Sequence, residues 1–316
     1  MKMSGKQYVL AVPNFSDGQS EEVLRSAKEA VESVEGVQLV SVEPEADFNR
    51  TVVTMIGEPQ PIKEALIRLG EATTKLIDMS SQKGSHPRIG AQDTLPIFPL
   101  MNITLEETKE LAEEIGKEYF ERTKIPVFFC GINSRTPDRA AYAYVRKGQY
   151  EGLKKLLEET KDDPARQDEY NNRKPDLSVD GLLSEKAGGT IVSCEATGLT
   201  AYNIFLDTED LDVAKKIARA MRGPSGGFSS IRAVGIKFPE HKGVVVSMNM
   251  FDCMNLPIIR LFEYCKREAE RCGVNVTGSQ LVGPIKLESV ISSFACSLGL
   301  EDFKTDQILE THLIGK

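Results

Sequence analysis

Three histidines are the starting points for proton-transfer chemistry, because the unperturbed pKa of histidine lies close to neutrality. His241 falls in a Pro-Glu-His-Lys-Gly segment that predicts an exposed hairpin turn, and His312 falls in the polar C-terminal tail. His86 lies instead in Lys83-Gly-Ser-His-Pro-Arg-Ile-Gly90, between the end of a predicted helix and a predicted strand. His86 is therefore the candidate acid or base.

The segment around His86 has features that would hold an imidazole rigidly beside positive charge. Pro87 favours an extended backbone at residue 86, and glycines bracket the ring. Lys83 and Arg88 supply two cations that suit an anionic substrate. This pattern predicts a proton shuttle; the alternative is an exposed loop histidine with no chemical role.

Two polar residues elsewhere are candidate ligand contacts. Arg50, which ends the segment Asp47-Phe-Asn-Arg50, could clamp a carboxylate with two hydrogen bonds. Equally, it could close the turn as a structural ion-pair residue. Asn14, in Val12-Pro-Asn-Phe-Ser-Asp-Gly18, could bond to a ligand, although helix capping and turn geometry explain most of that segment.

Gln280 is a further candidate, because an amide can donate to and accept from a heteroaromatic edge at once. It lies in Gly278-Ser-Gln-Leu-Val-Gly283, which follows a predicted strand and precedes a predicted helix. The segment is predicted to be either a loop whose backbone amides receive an anion or a plain tight turn.

The composition argues against several functional classes. A net charge of -8 disfavours a nucleic-acid surface, and the six cysteines show no CxxC pair or other metal-ligand spacing, so reduced thiols and no metal are expected. Nucleophilic hydrolases and common metalloenzymes are disfavoured, because their Gly-x-Ser-x-Gly, HExxH and EF-hand signatures do not occur. The first apolar stretch stops at Pro13, too short for a signal peptide, so a cytoplasmic location is expected.

Apolar periodicity predicts one order of elements twice. The first half is predicted to contain a strand at Tyr8–Val12, a helix from Ser20, strands at Val37–Val42 and Thr51–Ile56, a helix carrying Ile62 to Leu76, and a strand at Leu95–Phe98. The second half is predicted to contain a strand at Thr200–Leu206, a helix from near Thr208, strands at Ser230–Phe238 and Val244–Met250 around a turn at Pro239–Gly243, a helix from near Pro257, and a strand at Val274–Thr277.

This repeated order predicts an α+β fold of two ferredoxin-like (βαββαβ) subdomains packed with a ligand groove or tunnel between them. A doubly wound nucleotide fold is disfavoured, because paired strands without an intervening helix interrupt both halves. The subdomains are expected at residues 1–178 and 179–316, the second with a C-terminal helix. The charged stretch at about 159–178 is predicted to be a linker or mobile surface loop.

The candidate segments, in this order, resemble the formiminotransferase domain of formiminotransferase-cyclodeaminase and its single-domain bacterial and archaeal relatives. The His-Pro-Arg-x-Gly-Ala pattern after Ile-Asp-Met is the most specific part, and the resemblance runs from residue 12 to 283. The matching segments are Val12–Gly18, Asn49-Arg-Thr-Val52, Ile77-Asp-Met79, Gly84-Ser-His-Pro-Arg-Ile-Gly-Ala91, Val246-Ser-Met-Asn249 and Gly278–Gly283.

The resemblance implies transfer of a formimino group from N-formimino-L-glutamate to N5 of tetrahydrofolate, which is a co-substrate, with His86 as the catalytic histidine. It implies a homodimer or larger assembly, small-molecule substrates, and neither nucleic-acid nor membrane partners. The residues that are expected to bind substrate or folate are Asn14, Arg50, Lys83, Arg88, Asn249 and Gln280; all of them except Lys83 lie in the matching segments.

Two departures from the family pattern leave the donor open. Gln82 stands where relatives usually carry a second histidine, and Cys194-Glu-Ala-Thr197 stands where many relatives carry an Arg-Lys pair. One alternative is therefore a transferase that moves a formyl group between 5-formyltetrahydrofolate and glutamate. Another is a folate-binding protein without catalysis.

Overall fold

The computed structural model describes residues 5–196, 200–237, 243–252 and 255–313. The chain divides into two compact units, Met1–Ala196 and Thr197–Lys316. Within the described ranges, no helix combines the length and the apolar composition needed to cross a membrane.

The first unit is built on one seven-stranded sheet, whose strands run in the spatial order β3, β4, β1 continued by β2, β5, β7 and β6. Strands β5, β7 and β6 are parallel to one another, and the other pairings are antiparallel. Its elements are β1 (Tyr8–Ala11), β2 (Asn14–Phe15), α1 (Glu21–Glu32), β3 (Val37–Glu45), β4 (Arg50–Gly57), α2 (Pro59–Leu76), β5 (Gln92–Met101), α3 (Leu105–Thr123), β6 (Val127–Gly131), α4 (Tyr142–Val145), α5 (Gln149–Thr160), α6 (Gln167–Arg173) and β7 (Thr190–Cys194).

Local sequence explains why the main helices of this unit form and what they bury. Ser20 caps α1 by accepting a hydrogen bond from the amide of Val23, and a capping box of Thr104 and Glu107 opens α3. The buried faces of α1, α2 and α3 belong to one apolar core with residues of the sheet. The same core also includes residues that alternate to the opposite face of the sheet, such as Ile191 and Phe128.

The second unit is a four-stranded antiparallel sheet in the order β11, β8, β10, β9. With the two helices between its strands, this is the ferredoxin-like arrangement. The unit contains β8 (Thr200–Leu206), α7 (Leu211–Met221), β9 (Ile231–Lys237), β10 (Val244–Met250), α8 (Ile258–Arg271), β11 (Val276–Val282) and α9 (Leu287–Leu298).

The predicted α+β class, with the βαββαβ order in both halves, is confirmed. In the first unit, β1, β3, β4 and β5 with α1 and α2 repeat the strand order of the second unit. This unit then adds α3, β6 and β7, which extend the sheet beyond β5 in parallel. The expected groove between the two subdomains stays a prediction.

The charged stretch at 159–178 is folded, so its prediction as a linker or mobile loop is wrong. It contains α6, and its side chains Tyr170 and Arg173 are buried. Arg173 donates to the Lys147 carbonyl at 2.7 Å, and Asp176 pairs with the buried Arg139 at 3.0 Å. Polar composition predicted exposure because it does not reveal that the charges are paired within the unit.

The first unit extends past the expected boundary at 178/179, because β7 pairs with both β5 and β6 in the first sheet. Compact packing therefore places the boundary after Ala196.

The last strand of the second unit is longer than predicted. It was expected to end at Thr277, but Gly278 to Val282 continue β11 in register with β8. The amides of that segment lie in a strand, so the loop and turn predictions for it are wrong. The predicted 239–243 turn with His241 falls largely in residues 238–242, outside the described ranges.

Candidate active site

Asn49 joins the loops that carry the candidate residues of the first unit. Its side-chain oxygen accepts a hydrogen bond from the amide of Gly18 at 3.0 Å, and its side-chain nitrogen donates to the Lys83 carbonyl at 2.7 Å. Its backbone is left-handed, with φ +50°, a conformation that asparagine tolerates better than most residues. One side chain thereby ties the loop before α1, the β3–β4 hairpin and the His86 segment together.

Two glycines allow these loops to approach closely. A Cβ on Gly18 would lie 2.7 Å from the carbonyl oxygens of both Arg50 and Glu45. A Cβ on Gly84 would overlap the Phe48 carbonyl. Both glycines belong to the segments that carry the family resemblance, and the close approach is the physical reason for their residue type.

His86 and Arg50 are brought into direct contact by this arrangement. Nη1 of Arg50 lies 2.9 Å from Nε2 of His86. On its other side, Arg50 donates through Nε to Glu45 at 3.0 Å and forms an ion pair with the same carboxylate. Arg50 therefore acts as the structural ion-pair residue that was one of its two predicted roles, and it also contacts the candidate base.

The imidazole of His86 is held neutral. Burial is the largest cause, followed by the positive charges of Arg50, Arg146 and Arg88, and together they lower the pKa of His86 to about 3. Spacing alone suggested a proton shuttle with a pKa near neutrality. In the ligand-free chain, the pKa of His86 instead lies well below neutrality. The neutral ring can act as a base as soon as its lone pair is available.

Arg88 is almost fully buried, with 4% of its surface exposed. Its guanidinium donates to Gln82 Oε1 at 2.7 Å, to the Gln82 carbonyl at 3.1 Å, to Gln149 at 2.9 Å and to the two oxygens of Glu151 at 2.8 and 2.7 Å. These five bonds use all five donors of a guanidinium. Arg88 therefore anchors the His86 segment to the start of α5, and its expected contact with a substrate stays a prediction.

Gln82, where relatives usually carry histidine, has a structural task in this chain. Its Oε1 accepts from Arg88, and its Nε2 donates to the Asn49 carbonyl at 3.3 Å. The amide thus links the buried arginine to the hairpin. Lys83, by contrast, is exposed, and its ammonium has no carboxylate partner among the described residues.

Asp93 and Arg146 are site residues that sequence reasoning missed. Asp93 is buried, accepts a hydrogen bond from the amide of Ile89 at 2.7 Å and pairs with Arg146, whose charge acts on His86. The register places Asn14 opposite Thr94 but Phe15 opposite Gln92, so Asp93 is the extra residue of a β-bulge. A β-bulge has no clear signature in the sequence. The one feature that could have drawn attention to Asp93 is an acidic residue three positions after the Arg-Ile-Gly segment.

Asn14 lies on the sheet face that is opposite to α3. Its amide donates to Thr94 Oγ1 at 2.5 Å, while its Oδ1 is buried and has no hydrogen-bond partner in the part of the chain that the structure describes. Thr190 of β7 bonds to Tyr119 of α3 at 3.1 Å, so its side chain lies on the α3 face of the sheet. Because side chains alternate along a strand, the parallel register of β5 and β7 puts the Thr94 side chain on the other face. A buried unpaired oxygen is costly, so this atom is available to a ligand donor.

The remaining candidates, Asn249 and Gln280, lie in the second unit. Asn249 lines a cavity of about 310 Å³ together with Arg222, Arg232, Ala233, Val234 and Ser247. Gln280 accepts from the side chain of Asn203 at 3.2 Å on exposed strand β11. The structure thus brings Asn14, Arg50, Lys83, His86 and Arg88 to the first unit, and Asn249 and Gln280 to the sheet of the second.

Comparison with known proteins agrees with this division. The model of the formiminotransferase domain, N-terminal subdomain, matches residues 8–195, and the formiminotransferase domain model matches residues 201–307. Glutamate formimidoyltransferase from Streptococcus pyogenes serotype M1 is 37% identical over 309 residues, which cover 97% of this chain and 99% of that protein. Glutamate formimidoyltransferase from Thermoplasma acidophilum is 33% identical over 306 residues, which cover 96% of each.

Longer relatives match as well. Formimidoyltransferase-cyclodeaminase from Mus musculus is 31% identical over 294 residues, which cover 92% of this chain and 52% of that protein. The two ferredoxin-like units, together with relatives that are named formimidoyltransferases, put the chain in the class of α+β one-carbon transferases. Because family models match both halves of the chain, this class can be narrowed to one family. The chain belongs to the formiminotransferase domain family.

Proposed function

We propose that this protein is a glutamate formimidoyltransferase, which moves the formimino group of N-formimino-L-glutamate to N5 of tetrahydrofolate. The contact between the neutral imidazole of His86 and Arg50 carries the proposal, because it puts a base beside a carboxylate-binding group. The names of full-length relatives support the same activity. The folate is a co-substrate, and no step calls for a metal.

In the proposed reaction, N5 of tetrahydrofolate attacks the formimino carbon. The new N–C bond gives a tetrahedral intermediate, which then breaks its bond to the glutamate nitrogen. N5 loses one proton and the leaving amine gains one, so a single residue that accepts and then returns a proton balances the step. His86 is that residue.

The charges around His86 would couple its basicity to substrate binding. Arg50 and Arg146 lower the pKa of the imidazole in the ligand-free chain. A substrate carboxylate beside either guanidinium would offset part of that field and raise the pKa of His86 toward neutrality. It would also compete for the Arg50 donor that meets Nε2. The base would then gain strength only when the substrate is bound.

The other candidates would bind and orient the two substrates. Arg50 and Lys83 would hold carboxylates near His86, with Arg88 supporting the loop. Asn14 Oδ1 would accept a hydrogen bond from the pterin, and Gln280 is a candidate folate contact of the second unit. Asn249 would line an anion site with Arg222 and Arg232, whose guanidinium groups have no carboxylate partner among the described residues. A homodimeric state and a cytoplasmic location are expected on the family resemblance.

A coupled assay with N-formimino-L-glutamate and tetrahydrofolate tests the proposal. His86→Ala should lower turnover by roughly 10²- to 10⁴-fold while tetrahydrofolate still raises the melting temperature, since ligand binding to the folded state stabilises it. Near-normal turnover of His86→Ala would remove the acid–base role. Activity only with 5-formyltetrahydrofolate would favour the formyltransferase, and folate binding without transfer would favour a non-catalytic protein.

A further inference from the structure

Glu195 is a half-buried carboxyl group that directly follows β7 in the first sheet. Its amide donates to the Ile97 carbonyl at 3.0 Å, which fixes the residue beside β5. Ser193 precedes it by two residues, so both side chains lie on the face opposite to α3. This is the face that also carries Asn14.

The surroundings of Glu195 form a built polar site. The carboxyl group accepts hydrogen bonds from the hydroxyls of Tyr142 and Ser193, which also contact each other. Gly131 has φ +58°, and a Cβ there would lie 2.6 Å from Oε1 of Glu195. A side chain at residue 131 would therefore push the carboxylate out of its place.

Within the described ranges, no lysine or arginine forms an ion pair with Glu195. Arg146, which lies over the Tyr142 ring at 5.5 Å, is paired with Asp93. Burial raises the pKa of the Glu195 carboxyl group, and a bound cation would reverse that shift. Arg146 thus lies beside the Tyr142 ring of this cluster and is also close enough for its charge to act on His86.

We propose that the Glu195 carboxylate binds the formimidoyl end of the donor and selects an amidine over a neutral formyl group. This inference rests on the proposed function. A protonated amidine offers a planar pair of N–H donors, which fits a carboxylate as a guanidinium does. A neutral formyl amide would leave the half-buried carboxylate without a charge partner, and such a mismatch disfavours binding.

Donor kinetics of three variants test the inference. In Glu195→Gln, the KM for formiminoglutamate should rise roughly 10- to 100-fold, as expected for loss of a charged hydrogen-bond partner. The KM for tetrahydrofolate should stay within about twofold, which a general structural defect would not allow. Glu195→Asp should restore part of the donor affinity. Glu185→Gln is the matched control, because that carboxylate is 78% exposed and pairs with Lys154.

A second measurement keeps the inference testable if Glu195→Gln fails to fold. Acetamidinium should inhibit the wild-type protein competitively against formiminoglutamate, while neutral acetamide at the same concentration should not. Equal inhibition by both compounds, or an unchanged donor KM in a folded Glu195→Gln, would overturn the inference alone. A wild-type protein without transferase activity would instead overturn the proposed function, and this inference with it.

Discussion

Nη1 of Arg50 lies 2.9 Å from Nε2 of His86, and this contact defines the protonation of the site. A guanidinium has no acceptor, so Nε2 must accept the hydrogen bond and the proton of the neutral ring lies on Nδ1. Burial and three arginines favour the same neutral state. Arg50 is in turn held by Glu45, which keeps it at the imidazole in the absence of substrate.

Replacing Arg50 should raise the pKa of His86. In Arg50→Gln, the second-largest cause of the low pKa is removed, so the imidazole should titrate above the wild-type value of about 3 and below the ordinary value of 6.5. An NMR titration of the three histidine rings measures this directly. Lys83→Gln is the control, because Lys83 is not among the charges that lower the pKa. An unchanged His86 titration in Arg50→Gln would contradict the electrostatic account.

The stability of the wild-type protein should fall as the pH drops below 6.5, in part because of His86. The pKa of His86 is lower in the folded chain than in the unfolded chain, so the unfolded state binds the extra proton between about pH 6.5 and 3. This contribution is absent above pH 6.5. Between pH 7 and pH 5, His86→Gln should lose roughly 1–2 kcal/mol less stability than wild type, allowing for solvent screening.

Urea denaturation at both pH values measures this difference. His312→Gln serves as the control, since His312 is exposed in the C-terminal segment. An identical loss of stability in the wild-type and His86→Gln proteins would contradict a neutral, half-buried imidazole.

Arg88→Met should destabilise the protein by about 1–3 kcal/mol, because it removes a buried guanidinium and its five hydrogen bonds, whereas the Glu151 side chain that it leaves unpaired is 60% exposed. Gln82, Gln149 and Glu151 would all lose a donor. Arg25→Met is the matched control, since the Arg25–Glu29 pair is exposed and should contribute less than about 1 kcal/mol. The measurement is the free energy of unfolding of both variants, by heat or denaturant at one pH. An equal loss of stability in the two variants would show that Arg88 is not an anchor.

Gly18→Ala should reduce turnover, because the added Cβ would meet the Arg50 and Glu45 carbonyls and displace the hairpin that carries Arg50. Gly152→Ala is the control: nothing lies within 4 Å of its added Cβ in α5, and alanine is favoured over glycine in a helix by about 1 kcal/mol. Steady-state kinetics and unfolding of both variants are the measurements. Normal turnover in Gly18→Ala would mean that the hairpin tolerates the shift.

Local patterns were enough to predict the elements that carry the site. The strands at Thr200–Leu206 and Val244–Met250 have the bounds that apolar runs predicted, and the first helix begins next to Ser20, as predicted. These features depend on neighbours within a few residues, so a single segment contains the information. The prediction failed at 159–178, where buried Tyr170 and Arg173 lie in a stretch that reads as polar.

The sequence by itself determined the repeated βαββαβ order, the family resemblance, and the place of His86 between a helix and a strand. Tertiary structure decided which side chains become partners. Arg50 contacts the imidazole of a residue 36 positions away in the sequence, and Arg88 donates to residues of α5 that are 61 and 63 positions away. Asp93, in the bulge, pairs with Arg146, which is 53 positions away. The reason is physical. Periodicity is a local property of the chain, whereas a charge pairs with whichever group folding brings within a few ångströms.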